Sequence, residues 1–353
     1  MKQKHMDQGL SRTFSVGGVI AIFLIVAIHY HSKKYIDVTE GFGLNYLFQE
    51  WITNSIARFA VPFFAATSGF FYFLKFYNIC CYLPQTKKRL FTLLTPYLIS
   101  ITIILLHDIT LHIVKYHHIP LEKFDFIWNL MHPDSVQLWF LRDLIIIAIF
   151  LSPAIYLAIN WLPRLTILIL SIIWFFEIQI FPIFFGWYFV NIETLLFFSV
   201  GGYFAKNMEI FKRYLAITER YFFTIFFLFI LLSLTRVLIA PDFRVWYGVE
   251  GGGTVALSFY KLTIIFGLFS FMPTAKRLNS NKLLLISSPF SFFLFLYHIK
   301  PTSTISINLG SLFVADEYLF YIATPLTIII TLFAGWSIAR LAPTIYAVIS
   351  GGR

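Results

Sequence analysis

Residues 15–31 read SVGGVIAIFLIVAIHYH, an apolar run unbroken from Val19 to Ile28 that closes on His29 and is followed by Ser32, Lys33 and Lys34. At about 1.5 Å of helix rise per residue, such a run crosses a hydrocarbon core of roughly 30 Å. No small-residue cleavage site follows it, so it reads as a retained helix and not as a signal peptide. The rest of the chain has the same character: 59% of its residues are hydrophobic, 20% aromatic and only 12% charged, too few charges to wet the surface of a soluble domain of this length.

Further apolar stretches fall near 54–74, 90–113, 136–160, 164–181, 188–205, 221–240, 254–272, 289–310 and 318–346. The short pair 164–181 and 188–205 reads either as two crossings or as one re-entrant pair. The expectation is an all-α, polytopic membrane bundle of about ten transmembrane helices. It forms one domain, with a short N-terminus (1–14), the bundle (15–346) and a tail (347–353).

Charge placement tests this layout, because Lys and Arg collect on the cytoplasmic side of alternate connections. With the N-terminus inside, the inner segments hold Lys2, Lys4, Arg12, Lys75, Lys87, Lys88, Arg89, Arg164, Lys206, Lys212, Arg213, Arg220, Lys276, Arg277, Lys282 and Arg353. The outer ones hold Lys33, Lys34, Lys115, Lys123 and Arg244 among the acids Asp37, Glu40, Glu50, Glu122, Asp125, Asp134, Asp242, Glu250, Asp316 and Glu317. Both termini are therefore expected to be cytoplasmic. The net charge of +10 is mainly this topological signal, and its dispersal among loops argues against nucleic acid as a partner. The adjacent Cys80 and Cys81 read as inert thiols of an inner loop. His112, His117, His118 and His132, around the longest connection, are spaced too irregularly for a zinc set, and no metal is expected.

Ionisable side chains inside the apolar stretches are few, and each costs at least ~2.5 kcal/mol on insertion scales. They are His29, Arg58, Arg142, Asp143, Glu193, Arg236, Lys261, His298, Lys300 and, toward the inner end, Arg340. In the expected topology nearly all fall in the outer half of the bilayer, which one polar cavity opening outward explains better than scattered accidents. Arg58 and Arg236 read equally as interfacial residues reaching for the headgroups. His29 and His298 suit acid–base work, since an imidazole exchanges a proton near pH 7; the plainer alternative for each is a hydrogen bond between helices.

Five strings then act together: VIAIFLIVAIH ending at His29, ARFAVPFFAATSGFF (Ala57–Phe71), KKRLFTLLTPYLI (Lys87–Ile99), LWFLRDL (Leu138–Leu144) and FFLFLYHI (Phe292–Ile299). In this order and spacing the chain resembles, over nearly its whole length, bacterial acyltransferase family 3, the polytopic O-acyltransferases that modify surface glycans. The resemblance implies a protein of the bacterial cytoplasmic (inner) membrane. It would move an acyl group, acetyl by analogy, from cytoplasmic acetyl-CoA to a hydroxyl of an extracytoplasmic glycan or glycolipid, with acyl-CoA as donor substrate and no bound cofactor.

On that implication His29 is the general base, Asp143 or Glu193 orients it, and Arg142 or Arg58 stabilises the oxyanion. Lys87, Lys88 and Arg89 would hold the nucleotide phosphates, although positive-inside placement explains them equally. Arg58 also counts toward the donor site. Ser68, Trp139, Glu193, Lys261 and His298 are expected to line the substrate cavity, Ser68 serving equally as a residue bonded to its own backbone. One departure is Gly18, eleven residues before His29, where many members carry Arg; Arg58, Arg142 or Lys261 would supply the cation instead. No hydrolase-like domain with a Ser-Gly-Asn-His signature is visible, so the membrane part or a separate partner would complete transfer.

Two other classes fit parts of this pattern. A transporter would use the same polar cavity without covalent chemistry, but the halves show no inverted repeat or paired Gly/Pro-broken helices. A sensor or scaffold has no need of so many buried charges. Membrane portions of some serine or alanine racemases share this kind of sequence, which leaves a cell-wall amino acid pathway open. The acceptor glycan and the oligomeric state are not readable.

Overall fold

Lipid offers the backbone no hydrogen bonds, so a chain this apolar must satisfy its amides internally, and helices do so within each segment. The computed structural model describes residues 7–30, 43–76, 78–117, 130, 138–181, 183–184, 187–241 and 253–352. Its helices are α1 (Gln8–Ile28), α2 (Leu44–Asn54), α3 (Ala60–Lys75), α4 (Tyr82–Arg89), α5 (Thr95–Tyr116), α6 (Trp139–Ile146), α7 (Ser152–Trp161), α8 (Pro163–Phe175) and α9 (Ile192–Lys206). There follow α10 (Met208–Arg220), α11 (Phe222–Ile239), α12 (Gly253–Arg277), α13 (Lys282–Ser287), α14 (Ser291–Tyr297), α15 (Thr302–Gly310), α16 (Leu319–Leu341) and α17 (Pro343–Ile349). A two-residue antiparallel hairpin, β1 (Ile183–Phe184) with β2 (Trp187–Tyr188), is the one sheet among the described residues.

Seven helical segments among these are long and apolar enough to cross a membrane, and eight if the bent pair Lys282–Tyr297 and Thr302–Gly310 is one span. Helices α8 and α9, with 13 and 15 residues, fall short of a full crossing on length alone. Two expectations change. The second apolar segment begins earlier than residue 54: α2 precedes α3 through a 3-10 turn (Ile56–Phe59), and Glu50, expected in an outer connection, is fully buried in it. The expected span 289–310 is broken, its two arms meeting at 90°, so that His298 and Lys300 sit at an elbow and not midway along a helix. Of the charges used for topology, Lys2, Lys4, Lys33, Lys34, Asp37, Glu40, Glu122, Lys123, Asp125, Asp134, Asp242, Arg244, Glu250 and Arg353 lie outside the described residues, as do His118 and His132.

Helix α1 lies inside the bundle, with Val16, Val19, Ala21, Ile22 and Val26 fully buried and with α3, α12, α14 and α16 around it. The outer helices leave large apolar side chains bare: Phe223 on α11 is 80% exposed, with Phe227, Phe333 and Leu341 also uncovered. In water such a surface would drive association; in hydrocarbon it is the required exterior.

The tightest helix pair is α3 with α9. A Cβ added at Gly69 would stand 1.9 Å from the carbonyl oxygen of Phe198, and one at Gly201 would stand 1.8 Å from that of Ala66. Membrane helices have little hydrophobic drive toward one another, so such backbone approach is what packs them. Replacing Gly69 by Val should force the pair apart and cost about 3 kcal/mol, as overpacking does. Gly18→Ala, whose new methyl would meet nothing closer than 3.9 Å, should be neutral. Thermal unfolding in detergent measures both, and equal stability of the two variants would contradict the crossing.

Candidate functional site

His29 follows the last turn of α1, its backbone N–H bonded to the Val26 carbonyl at 3.1 Å. The next residue, Tyr30, is buried and joined through its hydroxyl to Thr327 of α16, which fixes the end of the helix. His29 itself is exposed although protein surrounds it, the condition of a side chain facing a recess. Its neighbour is His298, which closes α14 at the elbow; the two imidazole centroids lie 5.1 Å apart with their planes inclined by 35°. His298 is buried, with Nδ1 at 2.9 Å from the Phe295 carbonyl and 3.1 Å from that of Leu294. The elbow is tied to α5 by Lys300, whose Nζ donates to Asp108 at 2.7 Å.

Arg58 sits in the 3-10 turn between α2 and α3, and that turn packs against α1. A buried polar chain holds it. Arg236 of α11 donates to Glu50 Oε1 at 2.8 Å, Asn54 Nδ2 donates to Glu50 Oε2 at 2.7 Å, and Arg58 donates to Asn54 Oδ1. Arg58 Nε is buried and has no hydrogen-bond partner among the described residues. Arg236, expected as a possible headgroup residue, is instead 1% exposed.

Lys261, Glu193, Arg142 and Asp143 gather in two groups joined at Asn191, whose Oδ1 accepts the Glu193 backbone N–H at 2.8 Å. Lys261 is paired with Glu177 and lies over the Trp174 ring at 4.4 Å, while Trp174 Nε1 donates to Glu193 at 2.8 Å. Arg142 donates to the Tyr188 carbonyl at 2.9 Å and meets Asp143 at 3.4 Å, and Asp143 accepts the Asn191 backbone N–H at 3.0 Å. This second group ties the β1–β2 hairpin and the start of α9 to α6, and none of its hydrogen bonds goes to His29.

Toward the Arg89 end of the bundle a cleft opens between α3, α6 and α14, lined by Phe64, Ser68, Tyr72, Arg89, Phe140 and Phe295 among others. Of the basic triplet, Lys87 and Lys88 are exposed, whereas Arg89 turns in over the Tyr72 ring at 5.6 Å. Trp139 is half-buried against Phe140, and Gly18 faces Phe64. Phe295 forms the far wall and lies 6.3 Å, ring to ring, from His298, so the cleft ends one side chain short of the histidine pair. The structure thus brings His29 and His298 together, packs the turn that carries Arg58 against α1, and sets Ser68 and Arg89 in the wall of one cleft.

Sequence reasoning missed Glu50, Asn54, Glu177 and Asp108. The first two carried a usable signal, since Glu50, Asn54 and Arg58 recur at four-residue intervals on one helical face. Glu177 and Asp108 carried the signal of an acid inside an apolar stretch, 164–181 and 90–113, but nothing local reported their partners Lys261 and Lys300, which are remote in the chain. His112 packs on Tyr116, and no group of three or more His, Cys, Asp or Glu among the described residues is placed to hold a metal.

Comparison with known proteins matches residues 19–340 to the family described as the acyltransferase domain, acyltransferase family 3. The chain is also 24% identical, over 99% of its length and 94% of the relative's, to the succinoglycan biosynthesis protein ExoH of Rhizobium meliloti (strain 1021). No solved structure matches it. Because the family match runs from within α1 to the end of α16, over the segments that build the cleft and both histidines, the chain belongs to acyltransferase family 3 and is a membrane acyltransferase.

Proposed function

We propose that this protein takes an acyl group, acetyl by analogy, from acyl-CoA at the cytoplasmic face and places it on a hydroxyl of a glycan or glycolipid beyond the membrane, with His29 as general base. The observation that carries this reading is the cleft, which begins at Arg89 and stops at Phe295 beside His298. Acyl transfer across a bilayer needs a route for the thioester. The pantetheine arm would lie along Phe64, Ser68 and Phe140, with Lys87, Lys88 and Arg89 pairing with the nucleotide phosphates. A glycan acceptor is supported by the succinoglycan biosynthesis relative.

At the far end His29 takes the proton of the acceptor hydroxyl as its oxygen attacks the thioester carbon. Arg58 faces the charge that develops on the carbonyl oxygen. It is the best placed of the three cations suggested for the Arg missing at Gly18, since Lys261 is paired with Glu177 and Arg142 with Tyr188 and Asp143. The tetrahedral intermediate collapses, the C–S bond breaks, and the CoA sulfur leaves with the proton from His29. In this reading seven long segments, the bent pair, α8 and α9 make ten crossings of the bacterial inner membrane with both termini cytoplasmic.

The test is protein in liposomes with acetyl-CoA labelled in its acetyl group, following CoA release. His29→Ala should lower release by about 10²–10⁴-fold, the range of a general base, with normal insertion. Undiminished release would remove His29 from the chemistry, and a donor that neither binds nor reacts would put the transporter reading ahead. Arg89→Ala should raise KM for acyl-CoA about tenfold, roughly 1.4 kcal/mol of binding, with kcat nearly unchanged. Orientation is tested through Cys80, which is exposed between α3 and α4. A membrane-impermeant maleimide should label it in inside-out vesicles and not in intact cells.

A further inference from the structure

His298 Nε2 is a buried ring nitrogen with no hydrogen-bond partner among the described residues. Its identity as an acceptor follows from the other side of the ring. Nδ1 faces the carbonyls of Phe295 and Leu294 at 2.9 and 3.1 Å, and a carbonyl only accepts, so Nδ1 carries the proton. In the neutral ring Nε2 is then a bare lone pair. A buried acceptor is ordinarily satisfied, so Nε2 is open to a donor on the ring beside it.

The polar ring beside it is His29. At a centroid separation of 5.1 Å the two rings are close enough for one hydrogen bond between ring nitrogens, each lying about 1.1 Å from its centroid, once the nitrogens face each other. His29 is free to turn, being exposed and without a side-chain hydrogen bond among the described residues. His298 is not, being buried, bonded to its own helix and set in an elbow held by Lys300 and Asp108.

We infer that His298 is a positioning residue for the transfer step: its Nε2 accepts one ring N–H of His29, fixing the tautomer so that the other His29 nitrogen faces the acceptor hydroxyl as the base. This deepens the function proposed above and rests on it. The proton balance is unchanged by His298. The hydroxyl proton goes to the free nitrogen of His29 as the O–C bond forms at the thioester carbon, and the same proton passes to the CoA sulfur as the C–S bond breaks. In between, the imidazolium of His29 is stabilised by its hydrogen bond to Nε2, the part an orienting carboxylate plays in other general-base pairs.

The experiment compares His298→Leu, His298→Gln, His298→Asn and His29→Ala in the liposome assay, with thermal unfolding in detergent as the control for folding. A Gln carboxamide extends to where Nε2 stands and accepts a hydrogen bond there, whereas that of Asn stops at the level of Nδ1. The expected result is a loss of kcat of about 100-fold in the Leu and Asn variants, KM for acyl-CoA within twofold of wild type, and recovery of at least tenfold in the Gln variant. Wild-type kcat in the Leu variant, equal activity of Gln and Asn, or a loss confined to KM would each overturn the assignment. If Leu does not fold, the Gln and Asn pair decides alone. A fully active His29→Ala would instead sink the function proposed above, whereas a dead His29→Ala beside an active His298→Leu would remove only this inference.

Discussion

The ion pair between Glu50 and Arg236 is the contact on which the placement of Arg58 depends. Both side chains are essentially without solvent, at 0% and 1% exposure, and their oxygen and nitrogen are 2.8 Å apart. Desolvating two charges is expensive, so such a pair adds little net stability, yet removing either member typically costs 3–5 kcal/mol because the other is left behind. Its effect is to specify position. It fastens α2 to α11, with Trp51 bonded to Ser233 beside it at 2.8 Å, and the second oxygen of Glu50 passes the constraint through Asn54 to Arg58. Arg58 is thus held by way of a residue on a helix far along the chain.

The same reasoning organises the other side of the site. The α3 face that carries Ser68 and Tyr72 walls the cleft, and its neighbouring face is pressed backbone to backbone on α9 at Gly69 and Gly201. The Tyr72 hydroxyl is tied in turn to Ser152 at 2.8 Å. An approach path bounded by such contacts keeps its shape while a substrate passes, because the wall has nowhere to retreat. On the opposite wall α14 is short and ends at an elbow, with Phe295 and His298 on its last turn. The cleft and the histidine pair therefore share a boundary made of a single helical turn.

Much of the bundle was legible because uniform hydropathy over a full helix length has one physical solution in lipid, and α1, α5, α11, α12 and α16 follow it. What escaped was structure that hydropathy does not encode. Helix α2 is amphipathic and mixed in composition, so Leu44–Asn54 reads as a connection until its partners on α11 and α16 are known. The elbow falls where the apolar run ending at Tyr297 gives way to His298, Lys300 and Pro301 and then to a Ser- and Thr-rich segment, a change a full-length hydropathy window averages away. His29, His298 and Arg58 were recognisable as polar residues out of place. The pairing of the two histidines, and the separation of Arg142 and Asp143 toward Tyr188 and Asn191, rests on contacts between segments that no local spacing reports.

Why a second imidazole should orient the base follows from what else stands there. In the proposed mechanism a carboxylate beside His29 would hold an imidazolium more strongly, but it would also compete for the Arg58 cation that faces the oxyanion. The guanidinium would then be neutralised before any oxyanion formed, and its worth in the transition state would fall, since stabilisation counts only where it is greater there than in the ground state. Asp143 and Glu193, the nearest acids in the sequence reading, are bonded to Asn191 and Trp174. A neutral His298 accepts an N–H without competing for Arg58. On the proposed function, the base and the cation are then each directed at a different atom of the same reaction.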